Sequence, residues 1–540
     1  MNPKKRWLEI LLIFVLFFLE GAYLVPDVNE AHYLGKAARF WNESYAPGDF
    51  LLSTPDAHGV FVWTFGWLTT LLPLPACAWT GRIVCWFAMA FFWQRLSWNV
   101  APRQWFAVLS AGTFVCLQSY CQMAGEWVFG GMEAKTISYV FIFWGLERIT
   151  AQKWGQAWIV LGIASMFHVL AGGWTVLAAM ISYALCLITK QIAFRWKDVL
   201  TLPVGGLLSL PGLIPSLLLN HGAEPEIVKT AERLYVYNRL PHHLLFQAFP
   251  YNLILRFIIL CVVCIVTILI LLWISRYEKK QESEQGDESK QLRTARAFLC
   301  FYALTAMGIA SIGAVLSYWS KSNPDFYASL LRFYWFRLSD VAVPLAFSLL
   351  ACLLLFYTKR YRLTSCFVIL LILISFCGVT DVYNNIVRLA RRDPPRQCAM
   401  ARINYSQWID VCKWINKNTP QDAVFIVPKK TRTFTWYSHR GTVANWKDVP
   451  QDAAGLIEWR NRIYYLYTYK VPSSQNRYIW DDCLARRTPQ KLKQLGEKYG
   501  ADYMVAPNSR RTDALPVVYR NRKFTVYKLS DIDSQEISSE

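Results

Sequence analysis

The sequence predicts an all-α polytopic membrane domain of about 11 transmembrane helices, followed by a small extracytoplasmic α/β domain. Three observations carry this. Hydrophobic residues make up 54% of the chain and charged residues 17%, against the ~25% charged of a soluble domain. Many apolar runs approach the ~20 residues that a spanning helix needs. The 24 tryptophans and 28 tyrosines gather near the ends of those runs, as interfacial belts do.

The first expected span is 7–25. Lys4, Lys5 and Arg6 precede it, Glu20 interrupts it, and no small-x-small cleavage site follows, so it reads as an uncleaved helix rather than a signal peptide. Further spans are expected at 79–97, 104–120, 136–150, 154–171, 174–189, 199–219, 251–275, 297–318, 338–357 and 362–380. The run 59–75 would be a twelfth. Without it the cytoplasmic loops hold 19 lysines and arginines and the outer loops 9; with it most of that bias inverts. The positive-inside rule therefore makes 59–75 a juxtamembrane or re-entrant segment on the outer side, which Pro55, Pro73 and Pro75 permit. The N-terminus is then cytoplasmic and the outer loops are 26–78, 121–135, 220–250 and 319–337. The inner loop 276–296 has a disordered composition and reads as a linker.

The chain changes character at 381–540. Apolar residues at 408, 411, 412 and 415 have helical spacing, and 423–427 reads as a strand. Thr488 as N-cap, Pro489 and Gly500 bound a second helix. Strands are expected at 502–506 and 524–529. Helix-then-strand units indicate an α/β domain over 381–530, and 531–540 reads as a disordered tail.

The net charge of +20 does not point to nucleic acid. Much of it lies in short loops, and the rest in the C-terminal domain, with 27 lysines and arginines against 16 aspartates and glutamates. Such a domain suits anionic membrane lipid headgroups or plain solvation. Of 14 cysteines, 11 lie in or beside apolar runs as small core residues; Cys398, Cys412 and Cys483 allow at most one disulfide in the tail. No Walker loop, GxGxxG, HExxH or GxSxG motif is present, which argues against ATPase, dinucleotide, zinc-protease and hydrolase readings.

Four outer-loop clusters could carry chemistry. In PDVNEAHYL (26–34), Asp27 and Glu30 share a helix face at the membrane edge, where carboxylates are costly. They suit a general base or a divalent cation ligand, and equally a helix cap; His32 and Tyr33 would orient or pack. In GEWVFGGMEAK (125–135), Glu126, Glu133 and Lys135 surround a Gly-Gly turn, either pairing structurally or forming a second acidic wall of one cleft. In YVYNRLPHHLLF (235–246), Arg239, His242 and His243 suit a phosphate headgroup, or mark an interfacial turn. In LLRFYWFRLSD (330–340), Arg332 and Arg337 flank aromatics, suiting either lipid-phosphate entry or membrane anchoring by snorkelling. WYSHRG (436–441) and EWRNR (458–462) are weaker acceptor candidates.

These segments resemble the GT-C superfamily of integral-membrane glycosyltransferases. PDVNEAHYL looks like its acidic motif in the first outer loop, and GGMEAK, RLPHH and FYWFRLSD look like a bacterial branch. The resemblance implies a multi-pass protein of a bacterial inner membrane and cell envelope. It also implies a polyprenyl-phosphate sugar donor, a glycan, lipid or protein acceptor, and inverting transfer on the outer face. Asp27 matches the catalytic acidic position and Glu30 is the alternate. Arg239, His242, Arg332 or Arg337 would stabilise the leaving phosphate. The pair here is D-x-x-E rather than adjacent or D-x-D, which leaves a divalent cation, Mg2+ or Mn2+, open as the only cofactor. The competing class is a lipid-linked-glycan transporter or glycan-binding scaffold. A transporter should carry internal repeats and helices broken at the midplane; no repeat is visible, and the polar residues gather on one face of the membrane rather than mid-span.

Overall fold

The computed structural model describes residues 3–279, 287–361, 383–384, 386–387, 405–470, 478–480, 484, 487–510 and 515–529. The expected span 362–380, the boundary at 380/381, Cys398, Cys483 and the tail 531–540 lie outside the described residues.

Six helices among the described residues are long and apolar enough to cross a membrane: Leu74–Val100, Val169–Ile188, Trp196–Leu218, Tyr251–Ser275, Lys290–Trp319 and Arg337–Leu354. The segments expected at 7–25, 104–120, 136–150 and 154–171 are helical over Pro3–Gly21, Phe106–Tyr120, Ala134–Thr150 and Trp154–Phe167, which are shorter or more charged. The run 59–75 is broken into a helix Gly59–Thr64 and a 3-10 turn Gly66–Thr70, each far short of the ~20 residues of a span. The linker expected at 276–296 is corrected: helices Tyr251–Lys279 and Asp287–Trp319 run into it from both sides. Its Glu, Lys and Gln content, read as disorder, is also good helix-forming content.

Two helices touch backbone to backbone. A Cβ on Gly162 would lie 2.2 Å from the Gly205 carbonyl oxygen, and one on Gly212 would lie 2.2 Å from that of Met166. Small residues are what permit such close crossings in a membrane. Elsewhere Leu255, Ile258, Ile259 and Val262 are exposed on one helix, as a lipid-facing surface requires.

The C-terminal domain is built on strands β1 Val424–Ile426, β2 Gly441–Thr442, β3 Thr468–Lys470, β4 Tyr478–Trp480, β5 Tyr503–Pro507, β6 Val517–Arg520 and β7 Phe524–Lys528. Five form one sheet in the order β2-β1-β5-β7-β6, with β2, β1 and β5 parallel and β7 and β6 antiparallel; β3 and β4 form a hairpin. The expected helices appear as Tyr405–Asn418, which buries Trp408, Val411, Cys412 and Ile415, and Pro489–Tyr499, capped by Thr488 and stopped by Gly500 at φ 61°. A further helix, Ala453–Tyr467, buries Leu456, Trp459, Ile463 and Leu466.

This domain is fastened to the segment 49–52, which follows the helix Glu30–Trp41. Asp49 is buried and accepts from the Thr442 amide (2.9 Å), the Thr442 hydroxyl (3.0 Å), the Thr435 hydroxyl (3.2 Å) and the Leu52 amide (3.0 Å). The Phe50 amide donates to the Thr442 carbonyl at 3.1 Å. A Cβ on Gly441 would lie 2.7 Å from the Asp49 nitrogen, so only glycine fits there. Asp49→Ala strands the buried Thr442 amide and should cost ~2–4 kcal/mol. Thermal unfolding in detergent should show it, with faster proteolysis of the 44–52 loop; an unchanged melting temperature would refute the fastening role.

Candidate functional site

The helix Glu30–Trp41 starts at the acidic motif, and its first residue is committed to structure. Glu30 is fully buried and accepts four hydrogen bonds: Arg82 Nε (2.6 Å), Arg82 Nη2 (2.5 Å), the Met132 amide (2.7 Å) and the Asp27 amide (2.8 Å). Arg82, in a membrane-length helix, also donates to the Tyr23 carbonyl at 2.6 Å. A carboxylate so saturated has no lone pair left for an acceptor proton. The bond back to the Asp27 amide is the capping arrangement foreseen as the alternative, although the N-cap residue itself is Asn29.

Asp27 is different. It is buried, and its Oδ1 has no hydrogen-bond partner. Burial pushes its carboxyl above the ordinary range; Arg82 pulls it back, Glu30 pushes it up and Arg432 pulls it down. Glu133, at the start of the helix Ala134–Thr150, is likewise buried and its Oε1 has no partner. Burial, and then the charge of Asp27, push Glu133 up to about 7 against the pull of Lys135, Arg432 and a hydrogen bond from Asn29. The charge of Asp27 raises Glu133, and Arg432 opposes the upward shift of both carboxyls.

The Gly-Gly turn makes this approach possible. A Cβ on Gly131 would lie 2.9 Å from Glu30 Cγ and 3.2 Å from Asp27 Cβ. Gly131→Ala should therefore displace the acidic motif at ~1–3 kcal/mol and lower activity together with the melting temperature. A variant of wild-type stability and activity would contradict this packing.

Glu126 does not join the pair. It holds Tyr139 Oη (2.9 Å), Lys135 Nζ (3.3 Å) and Arg337 Nε (3.2 Å), and its loop is clamped by the Asp340 carboxylate, which accepts from the Met123 and Ala124 amides at 2.8 Å each. Arg337 also stacks on Tyr334 at 3.6 Å. Arg332 pairs with Glu232 at 2.6 Å. Tyr33 is the link between the acidic side and Arg337. Its hydroxyl lies 3.0 Å from His58 Nε2, and burial, Glu133 and Asp56 raise its phenol well above the ordinary value against the pull of Arg337. Burial drives His32 down to about 3, so it is neutral, and its Nε2 has no partner. The mid-chain His168 caps the helix Val169–Ile188 and stacks on His58 at 5.6 Å.

The cationic wall comes largely from the C-terminal domain. In an open α/β sheet, ligands meet the loops at the carboxyl ends of parallel strands. After β1 comes Pro428-Lys429-Lys430-Thr431-Arg432, and after β2 comes Val443 to Asp448, with Trp446 and Lys447. Arg432 acts on Asp27, Glu133, Arg239 and Lys447. Burial, with Arg432 and Arg239, brings Lys447 down to about 7, and Glu133 opposes that shift. Arg239 is buried, donates to the Trp446 carbonyl at 3.2 Å, and keeps its Nε without a partner. Asp448 is pushed up to about 7, first by burial. Burial, then Arg239, lowers His242; burial, then Arg337, brings His243 down to about 3, and its Nδ1 lies 2.6 Å from the Ala124 carbonyl. Both rings would meet a phosphate as neutral groups rather than as cations.

Asp27 thus acts on Glu133 and both feel Arg432, which also acts on Arg239 and Lys447, while His242 feels Arg239 and His243 feels Arg337. Arg432, Lys447 and Arg82 were missed in the sequence. A basic run following the predicted strand 423–427 was the available signal for Arg432, and a lone arginine inside an apolar run was the signal for Arg82. Among the described residues no group of three or more His, Cys, Asp or Glu side chains could hold a metal ion. The two free carboxylate oxygens match the one or two protein ligands that Mg2+ takes alongside substrate phosphate.

A family model described as Domain of unknown function (DUF6798) matches residues 406–466. That stretch contains both cationic loops and the Thr442 contact to Asp49. No curated protein matches the chain. Among solved structures, an oligosaccharyltransferase of Archaeoglobus fulgidus, in complex with zinc and sulfate, is similar over 93% of this chain and 68% of that one, at 12% identity and a TM-score of 0.41. At those values the likeness does not establish a shared fold.

Proposed function

We propose that this protein is a membrane glycosyltransferase that uses a polyprenyl-phosphate-linked sugar and acts at the cleft between the first outer loop and the C-terminal domain. The observation that carries the reading is a buried carboxylate with an unpartnered oxygen, Asp27 Oδ1, within the field of Arg432 on a wall that also holds Arg239 and Lys447. A group so costly to bury suits a site that supplies its partner with the substrate. Asp27 takes the proton of an acceptor hydroxyl. The acceptor oxygen forms a bond to the sugar anomeric carbon as the bond from that carbon to the phosphate oxygen breaks. The phosphate leaves with the electron pair, on the face opposite the attack, so the configuration inverts. Arg432, Arg239 and Lys447 meet the charge that develops on the phosphate. Arg337 is the fourth candidate for that role, while Arg332, paired with Glu232, would act at most on the route from the bilayer. Glu30 positions Asp27 through its amide.

Should a divalent cation belong here, Asp27 and Glu133 would hold it, and it would supply Lewis-acid charge to the phosphate. The N-terminus inside, the C-terminal domain outside and a bacterial inner membrane complete the reading.

The test is turnover by purified protein in nanodiscs of a panel of polyprenyl-phosphate sugars, read as released polyprenyl phosphate, with and without chelator. At least one donor should be bound and consumed. Binding of none of them would favour the transporter or scaffold class.

A further inference from the structure

An exposed apolar surface forms where two stretches of the chain meet. The helix Glu30–Trp41 contributes Phe40 and Trp41 from its last turn, and the segment 59–72 contributes Trp63, Trp67 and Leu71. Trp63 is 62% exposed and Leu71 67%, although the rings of Phe40, Trp41 and Trp63 lie edge to face at 5.3–5.7 Å. No aspartate, glutamate, lysine or arginine occurs from Ala57 to Gly81. The surface runs on into the membrane-length helix Leu74–Val100, where Ile83, Val84 and Phe87 are exposed. Its polar groups turn inward. The hydroxyls of Thr64, Thr69 and Thr70 donate to the carbonyls of Val60, Gly66 and Trp67 at 2.6–2.8 Å. The Trp67 and Trp41 indoles donate to the carbonyls of Thr64 and Val62 at 2.9 and 3.0 Å. The amides of Val62, Phe65, Leu68, Leu71 and Leu72 are bonded within the segment as well.

We propose that this surface is a foot set into the bilayer at the level of the headgroups and upper acyl chains, and that it holds the helix Glu30–Trp41 to the membrane. The proposal does not depend on the transferase reading. The run 59–75 was expected beside the membrane; the aromatic end of the helix before it was not, and that end makes the foot part of the helix. Short, irregular backbone tolerates lipid only where its polar groups find partners inside the protein, and the inward-turned hydroxyls, indoles and amides meet that condition. Tryptophan and leucine with charge only at the margin, at Arg39 and Glu43, is the composition of an interfacial belt. A second copy of the chain is the less fitting occupant, because a protein interface is bridged by direct hydrogen bonds and rimmed by polar groups, and here the hydroxyls are already engaged. Three ties make foot and helix one body. The Tyr33 hydroxyl lies 3.0 Å from His58 Nε2, a Cβ on Gly66 would lie 2.8 Å from Ala37 Cβ, and the Trp41 indole bonds the Val62 carbonyl. Residues 33, 37 and 41 are each one turn apart on a single face of the helix. The same helix begins at Glu30, so the depth of the foot in the bilayer fixes the depth of the acidic motif.

Two measurements on full-length protein in phosphatidylcholine nanodiscs test this. In the first, photoreactive benzoylphenylalanine is placed at Trp63 or at Leu71, the sample is irradiated, and the crosslinked peptides are read by mass spectrometry. Leu269, exposed on a membrane-length helix, and Lys413, exposed on the helix Tyr405–Asn418, are the reference positions. Lipid adducts should form at Trp63 and Leu71 as they do at Leu269, and should be absent at Lys413. Their absence at both foot positions overturns the proposal, and crosslinks between two copies in their place would assign the surface to a dimer. The second measurement is amide hydrogen exchange. Trp63→Ser together with Leu71→Ser should speed exchange over 34–41 about tenfold or more and leave the helix Tyr405–Asn418 unchanged, while Trp63→Phe together with Leu71→Ile should exchange as wild type. Unaltered exchange over 34–41 in the serine variant would mean that the foot does not hold the helix, and equal acceleration of both helices would mean general loosening; either result overturns the proposal.

Discussion

Asp27→Asn should abolish transfer while leaving the protein at least as stable as wild type. The change removes the proton acceptor and keeps the shape, so the turnover rate should fall by about 10²–10⁴, as loss of a positioned base does. The stability side follows from burial. Desolvation raises the folded pKa of Asp27 above its unfolded value of 3.8. A raised carboxyl favours the folded state only while protonated; as pH climbs past the unfolded value, the cost of the buried charge grows, and at neutral pH it is present. Asparagine removes that cost, and its amide keeps an oxygen where Oδ1 stood. Donor binding should persist. Turnover and thermal unfolding measured on one preparation decide the matter. A variant that loses activity only by unfolding would make Asp27 structural, and one that stays active would remove it as the base.

Glu30 should show the reverse profile. Glu30→Gln or Arg82→Met leaves one member of a fully buried pair uncompensated, and such a loss costs ~3–5 kcal/mol. The melting temperature should drop sharply in each single variant. The double variant Glu30→Gln with Arg82→Met should recover a large part of the loss, because removing both charges removes the desolvation penalty along with the attraction. Activity should follow the fold, since Glu30 also holds the Asp27 and Met132 amides. A stable, inactive Glu30→Gln protein would reverse the roles given to the two carboxylates.

That division of labour could not be read from the spacing. Asp27 and Glu30 at i and i+3 are equivalent as letters, and what separates them is Arg82, 52 residues further on. The sidedness of charge placed Asp27, Glu133 and Arg239 in loops of one expected face, but charge sidedness carries no information on whether those loops meet in space. The cationic contribution of the C-terminal domain was not anticipated. β2 is two residues long and has no alternation to detect, yet its parallel pairing with β1 puts Arg432 and Lys447 on one side of the sheet. The capped helix Pro489–Tyr499 was legible because Thr488, Pro489 and Gly500 each have a local physical reason to stand there. The helix Ala453–Tyr467 carried a comparable signal, Asp452 as N-cap with apolar residues at 456, 459, 463 and 466, but it was read only as a polar-aromatic contact.

The contact of Phe50 with Thr442 also bears on how the domain exists apart from the membrane. β2 is an edge strand of the five-stranded sheet, and an unpaired edge invites pairing with another chain. The segment that carries Asp49 and Phe50 covers that edge, with the Phe50 amide on the Thr442 carbonyl and Asp49 on the Thr442 amide. Phe50 further packs beside the core that holds Ile426 and Trp459, under the Arg462 guanidinium at 4.1 Å. A fragment beginning at 405 would expose this edge and an apolar socket together. It should self-associate, whereas the same fragment supplied with a peptide of residues 44–54 should remain dispersed.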